Sequence, residues 1–233
     1  MAAHPDGAGA PRVSPGSHDG LAYLRVEGTA PPRGGVVVLH GAGSRKENHL
    51  DFAELCAAAG ITAIVLDQRG HGSSEGPLGA GALGDVAAIA ELLPAGPRFV
   101  RGSSMGGFVA LAAAPLVGAR AVVAICPASG AQLLAGVRAG RLDFRADIAG
   151  LERVLLEADL DAAARALGPD LLLLHAEGDD RVPIAGSERL HGLAAGSTLV
   201  RVPGGDHHSI QHDAALQRLA VEFLLARAEP PGG

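Results

Sequence analysis

RFVRGSSMGGFVALAAAPL (residues 98–116) changes its period within two residues. RFVRGS, 98–103, reads as a short buried strand, and MGGFVALAAAPL, 105–116, has the small apolar spacing of a helix packed closely on a sheet. No residues are left between them for a loop. The chain must therefore turn sharply at Ser104, inside the pattern G-x-S-x-G. Such a turn lifts the serine hydroxyl above the sheet and aims the first N–H groups of the helix at the same spot. A Cβ at either flanking glycine would collide with the neighbouring strand or helix. GSSEG, residues 72–76, fits the same pattern, but it lies downstream of DQRGH in a loop and is followed by Pro77 and more glycine. A glycine-rich chain produces such a match by chance. Ser104 is the candidate nucleophile, and Ser74 is a loop residue near the rim of the site.

Working outward, apolar runs alternate with helical patterns. VVVLHG (36–41), ITAIVLDQ (61–68), AVVAIC (121–126) and LLLLHAEGD (171–179) read as strands, the first two buried on both faces. STLVRVPGG (197–205) reads as the last strand, and LAYLRVEG (21–28) alternates like an edge strand. Helical spacing marks 49–60, which stops at Gly60, together with 81–93, 187–196 and a closing segment near 210–228. This alternation predicts an α/β domain over residues 20–233, with a mostly parallel sheet covered by helices on both faces. Residues 1–19, rich in Gly, Pro and Ala, read as a flexible lead-in. Segment 127–170 breaks the rhythm with mostly helical sequence between two strands. It predicts a small helical cap over the carboxyl edge of the sheet, or a long crossover.

Composition narrows the function. The chain has 233 residues, enough for one domain with a full core, and hydrophobic residues make up 48 % against 3 % aromatic. That suits a core of aliphatics and leaves no stacking platform for bases or sugars. The formal charge is −6, and no basic run is present, which argues against nucleic acid as a partner. No apolar run approaches the roughly 20 residues of a membrane span, and the N-terminus lacks the apolar core of a signal peptide. Cys56 and Cys126 are too few and too scattered for a disulfide framework or a zinc site. A soluble, cytoplasmic protein is expected.

A serine hydroxyl attacks well only when a base takes its proton, so an imidazole oriented by a carboxylate is required. Both should stand in loops at the carboxyl ends of strands, where open α/β sheets bind ligands, and in the chain order Ser, acid, His. After LLLLHAEG come Asp179 and Asp180, and after STLVRVP comes GGDHH with His207 and His208. An aspartate at a strand end also caps helices, and one of the pair suits that role. His208 and His212, spaced i, i+4 beside Asp206, raise a metal site, but no HExxH pattern and no third ligand accompany them. The intermediate's oxyanion needs two donors. One is the N–H of Met105, the residue after the nucleophile, and the glycine-rich turn HGAG (40–43) after an early strand is placed to give the other.

At this point the chain resembles the α/β-hydrolase superfamily over residues 21–228. The resemblance rests on HGAG (40–43), DQRGHGSSEG (67–76), GSSMGG (102–107), HAEGDDRVP (175–183) and GGDHH (204–208), in the superfamily's order. Among its members the chain looks most like small bacterial esterases and monoacylglycerol lipase-like enzymes. The resemblance implies an α/β-hydrolase fold, with Ser104 as nucleophile, Asp179 rather than Asp180 as acid, and His207 rather than His208 as base. Ala42, following His-Gly, would be the second oxyanion donor beside Met105, and His40 would be structural. It also assigns GSSEG to the loop after DQRGH. The N-terminal antiparallel strands look abbreviated beside the superfamily's, predicting a smaller sheet.

The implied reaction is hydrolysis of a small-molecule carboxylic ester through an acyl-enzyme, with neither metal nor organic cofactor. Thioester hydrolysis, acyl transfer, peptide cleavage and C–C hydrolysis use the same three residues, and a low-turnover ligand receptor is the alternative outside catalysis. Leu133, Leu134, Leu142 and Phe144 in the insertion are candidates for an acyl pocket, or for packing the cap onto the core. With few aromatics in the cap, short- to medium-chain esters are favoured.

Overall fold

The computed structural model describes residues 10–229. Eight strands form one sheet: β1 (Arg12–His18), β2 (Leu21–Glu27), β3 (Gly34–Leu39), β4 (Ile61–Leu66), β5 (Arg98–Ser103), β6 (Ala121–Ile125), β7 (Leu171–Ala176) and β8 (Thr198–Val202), in the order β1-β2-β4-β3-β5-β6-β7-β8. From β4 to β8 every pairing is parallel, whereas β1–β2 and β2–β4 are antiparallel. The wholly apolar runs are the central strands, and all six residues of β3, β4 and β7 are buried.

Alternation sorts the strand side chains to two faces. Val37, Leu39, Val100, Val122 and Leu173 point to one side, where α2 (Ala82–Ala90), α3 (Met105–Val117), α6 (Leu160–Leu167) and α7 (Ala185–Leu193) cover them. Val36, Val38, Phe99, Val123 and Leu172 point to the other, under α1 (Leu50–Ala58) and α8 (Ala214–Ala228). Each such aliphatic side chain removed from water stabilises the fold by about 1.5–3 kcal/mol, so the two-faced pattern decides the architecture.

Two expectations are corrected. Residues 12–18 of the expected lead-in form β1, whose partner β2 is therefore not at the edge; residues 1–9 lie outside the described residues. RVSPGSH hides a strand because Pro15 donates no hydrogen bond, which only an edge strand tolerates. With β1 counted, the antiparallel end of the sheet is not abbreviated. The insertion, in turn, divides in two. Helices α4 (Gly130–Arg138) and α5 (Ile148–Glu157) pack on each other as a cap, while α6 packs on α3 as an ordinary crossover helix. Each starts at a side-chain cap: Ser129 with Gln132 in a capping box, Asp147, and Asp159.

Candidate active site

Five loops meet at the carboxyl edge of the parallel strands. Ser104, between β5 and α3, has φ 53° and ψ −115°, a backbone conformation that a side chain rarely adopts. Its N–H donates to the Ile125 carbonyl at 2.8 Å, and its own carbonyl accepts from Ala128 and Phe108, each at 3.1 Å. The turn is thus held from β6 as well as from its own helix. The glycines explain why the chain can follow it. A Cβ on Gly102 would lie 2.0 Å from the Gly106 carbonyl oxygen, and one on Gly106 would lie 2.4 Å from that of Leu39. Both obstacles are backbone and cannot swing aside. Gly102→Ala is therefore expected to destabilise the protein by about 1–3 kcal/mol or more, read as a lower denaturation midpoint. An unchanged midpoint would show the turn to be roomier than its geometry.

Ser74 stands apart from this site. It is buried, its hydroxyl donating to the Asp67 carbonyl at 2.5 Å and accepting from the Ala22 N–H at 2.8 Å. Beside it, the buried Asp67 carboxylate holds Lys46 Nζ at 2.7 Å, together with the N–H groups of Lys46 and Ser73. GSSEG is a brace that ties the loop after β4 to the start of β2, while Asp67 ties it to the loop after β3.

Asp179, after β7, is fully engaged. Its Oδ1 accepts from the N–H groups of Arg181 (2.9 Å) and Val182 (2.8 Å), and its Oδ2 lies 2.6 Å from Nδ1 of His207. Burial alone would raise its pKa. The Val182 N–H, the His207 ring and the Cys126 thiol together bring it below the usual carboxylate value. Asp180 is exposed, and so is His208, whose N–H turns to Asp206 Oδ1 at 2.9 Å. Of the doubled residues, the structure brings together Asp179 and His207.

The HGAG turn is set by His40. Its Nε2 accepts from the Gln68 N–H at 3.1 Å, which leaves the proton on Nδ1, and Nδ1 donates to the Gly41 carbonyl at 2.8 Å. Burial lowers the pKa of this ring to about 4, so it stays neutral. Ser44 also donates to the Gly41 carbonyl. In a trans peptide the N–H points opposite the carbonyl, so the Ala42 N–H is turned away from these donors. The Met105 N–H opens α3, where first-turn N–H groups have no intrahelical acceptor.

Ser104, Ala42 and His207 line one pocket of about 500 Å³, together with Leu133 and Leu142 of the cap. Leu134 is buried in the core cluster and does not line this pocket. Phe144 lies over His71, ring centroids 4.7 Å apart, and lines a neighbouring cavity instead. Of the four candidate acyl-pocket residues, only Leu133 and Leu142 face Ser104. The His208–His212–Asp206 set does not assemble, because His212 pairs with Asp51 at 2.8 Å. Cys126, His175 and Asp179 do cluster, with donor atoms within 4.8 Å of one another. There His175 Nε2 serves the Val182 carbonyl at 2.9 Å, its Nδ1 meets the Ser187 hydroxyl at 2.7 Å, and Asp179 is occupied as described. The pocket also contains residues that the sequence did not single out, His49, Gln132, Arg141 and Arg181, and His212, which the sequence raised only as a metal ligand.

The family described as serine aminopeptidase, S33, matches residues 30–146, half of the chain, and the family described as TAP-like protein matches 156–233. A monoacylglycerol lipase of Mycolicibacterium smegmatis is 28 % identical over 249 aligned positions, covering 84 % of this chain and 88 % of its own. A mitochondrial palmitoyl-protein thioesterase of Rattus norvegicus is 35 % identical over 100 residues, 40 % of this chain and 33 % of its own. Among solved structures, Est1E of Butyrivibrio proteoclasticus with bound ferulic acid superposes with a TM-score of 0.72 at 20 % identity, covering 92 % of this chain and 98 % of its own. A monoacylglycerol lipase of Paleococcus ferrophilus gives 0.70 at 22 %, covering 89 % and 99 %. These superpositions establish the α/β-hydrolase fold. No helix among the described residues is long and apolar enough to cross a membrane.

Proposed function

Because the chain belongs to the serine aminopeptidase, S33, family of the α/β-hydrolase superfamily, we propose that it is a serine hydrolase of the carboxylesterase type, splitting small carboxylic esters through an acyl-enzyme. The observation that carries this reading is the 2.6 Å contact between His207 and Asp179 beside the pocket that Ser104 lines. Asp179 accepts the Nδ1 proton of His207, which leaves Nε2 free to accept a proton. Nε2 takes the Ser104 proton as Oγ attacks the ester carbonyl. The N–H groups of Ala42 and Met105 receive the oxyanion of the tetrahedral intermediate, and removing one such donor costs about 2.7–4 kcal/mol of transition-state stabilisation. The imidazolium then protonates the leaving alcohol. A water activated by the same imidazole releases the acid and restores Ser104. The likeness to a monoacylglycerol lipase and to an esterase structure supports an ester substrate.

The cap leaves the acyl chain only the pocket that Ser104 lines, about 500 Å³, because the apolar space beneath the cap is closed. The apolar space beneath it, lined by Met105, Phe108, Leu133 and Leu155, retains a void of only about 10 Å³. An extended acyl chain has no room there unless the cap moves. Initial rates on 4-nitrophenyl esters from acetate to palmitate are expected to peak at short to medium chains and fall steeply beyond. Rates rising toward palmitate would overturn the chain-length reading. Hydrolysis undiminished in Ser104→Ala would overturn the serine assignment.

A further inference from the structure

The chain carries a net charge of −6, yet the pocket beside Ser104 collects positive groups. Arg141 and Arg181 both line it, and neither forms an ion pair among the described residues. Asp143 is the one acidic residue in the lining. Both arginines are anchored at the backbone. The Arg181 N–H is one of the two that hold Asp179 Oδ1, and the Arg141 N–H donates to Gly136 at 3.0 Å, closing the end of α4.

The wall of the pocket adds a donor with nothing to receive it. His49 lines the pocket at 1 % exposure, and its Nδ1 lies 3.0 Å from a guanidinium nitrogen of Arg101. A guanidinium only donates, so Nδ1 must be the acceptor and the ring proton must sit on Nε2. Burial, and then the charge of Arg101, hold the ring in this neutral form. Nε2 is buried and has no hydrogen-bond partner. Behind it, Arg101 is itself 1 % exposed, with only the His49 ring, the Gln211 carbonyl at 3.3 Å and the face of Phe52 for company; its Nε is unpartnered. Asp51 acts on it only from a distance, its carboxylate bonding His212 and Gln217 rather than the guanidinium. A buried cation with no carboxylate in contact and a buried N–H without an acceptor are both costly, and Arg101 stands directly behind the His49 ring that lines the pocket.

We propose that this pocket is an anion subsite, and that the esters of the reading above carry a carboxylate on the part of the molecule remote from the scissile carbonyl. The carboxylate lies between the guanidiniums of Arg141 and Arg181, and a small shift of the pocket wall brings the buried His49 Nε2–H to one oxygen. Arg101 acts through His49 as a positioning residue, fixing which ring nitrogen bears the proton. A neutral ester of the same length would leave those donors without an acceptor, and that difference is the source of selectivity.

The proposal rests on the ester-hydrolase reading, and the test separates the two. Steady-state kinetics compare mono-4-nitrophenyl adipate with 4-nitrophenyl hexanoate, and 4-acetoxybenzoate with its methyl ester, with the Ser104→Ala rate subtracted throughout. In at least one pair the anionic ester is expected to show about tenfold higher kcat/KM, mostly through KM and diminishing in high salt. The ratio should fall toward one in Arg141→Gln/Arg181→Gln and survive in Arg141→Lys/Arg181→Lys. Equal kcat/KM within both pairs would overturn the anion subsite and leave the hydrolase reading intact. Should no ester be turned over, the hydrolase reading fails, and calorimetry of adipate with the Ser104→Ala protein decides the subsite alone. Binding that disappears in the Arg→Gln background upholds the subsite, and no binding overturns it.

Discussion

Ser104→Ala is expected to lower kcat/KM for a short 4-nitrophenyl ester by roughly 10⁴–10⁶-fold while leaving the fold intact. The size follows from the chemistry, because without the hydroxyl no acyl-enzyme forms, and the imidazole has only water to activate. Alanine fits the turn as serine does, since the strained φ of 53° belongs to the backbone and is held by the Ile125 and Ala128 contacts. The melting temperature should therefore stay within a few degrees of the parent. The informative companion is Ser74→Ala, in the second G-x-S-x-G. Its hydroxyl bridges Ala22 and Asp67 inside the protein, so its loss should cost about 1–3 kcal/mol of stability and leave the turnover of the folded enzyme unchanged. The reverse pattern, with Ser104→Ala active and Ser74→Ala dead, would remove Ser104 from the mechanism.

That two identical patterns can be told apart before any coordinates exist says where sequence carries information. RFVRGSSMGGFV announces its geometry because a period-2 run abuts a helical run with no spacer. GSSEG lacks both flanks. The same logic points to HGAG and Asp179, each just past the end of an apolar run that becomes a central strand, and to His207, past β8 at the edge of the sheet. Other features have no local signal. β1 is written in RVSPGSH, a composition that also fits a loop, and only its pairing with β2 makes it a strand. Arg101 is buried within β5, between Val100 and Gly102. Its role depends on His49, 52 positions away, and on Gln211, 110 positions away. Arg141 and Arg181 enter one pocket from separate loops, one in the cap and one after β7. Periodicity fixes which face a residue occupies; convergence of distant loops is a property of the folded chain alone. The acyl-pocket candidates illustrate the boundary, since Leu133 and Leu134 are adjacent and equally apolar, yet only Leu133 reaches the Ser104 pocket.

Asp179→Asn should lower kcat by about 10⁴-fold with little change in the positions of atoms. Asparagine is isosteric, and its carbonyl oxygen can keep the place of Oδ1, accepting from the Arg181 and Val182 N–H groups. The amide nitrogen must then occupy the place of Oδ2, 2.6 Å from His207 Nδ1. A donor now faces a donor. The clash is relieved when the imidazole carries its proton on Nε2 and accepts at Nδ1, which is the tautomer unable to take the proton of Ser104. Catalysis is lost through a proton on the wrong nitrogen. Asp180→Asn, one residue along and exposed, should leave kcat as it is, which makes the pair a test of register as well as of chemistry. Acid titration supplies a second readout. The native Asp179 carboxyl titrates below its ordinary value, so the charge stabilises the fold at and above that ordinary value, and the gain disappears as pH falls through the lower native one. The stability difference between parent and Asp179→Asn should accordingly shrink on acidification across that window. A variant that kept wild-type kcat, or an Asp180→Asn variant that lost it, would move the acid to the neighbouring residue and unmake the Asp179–His207 assignment.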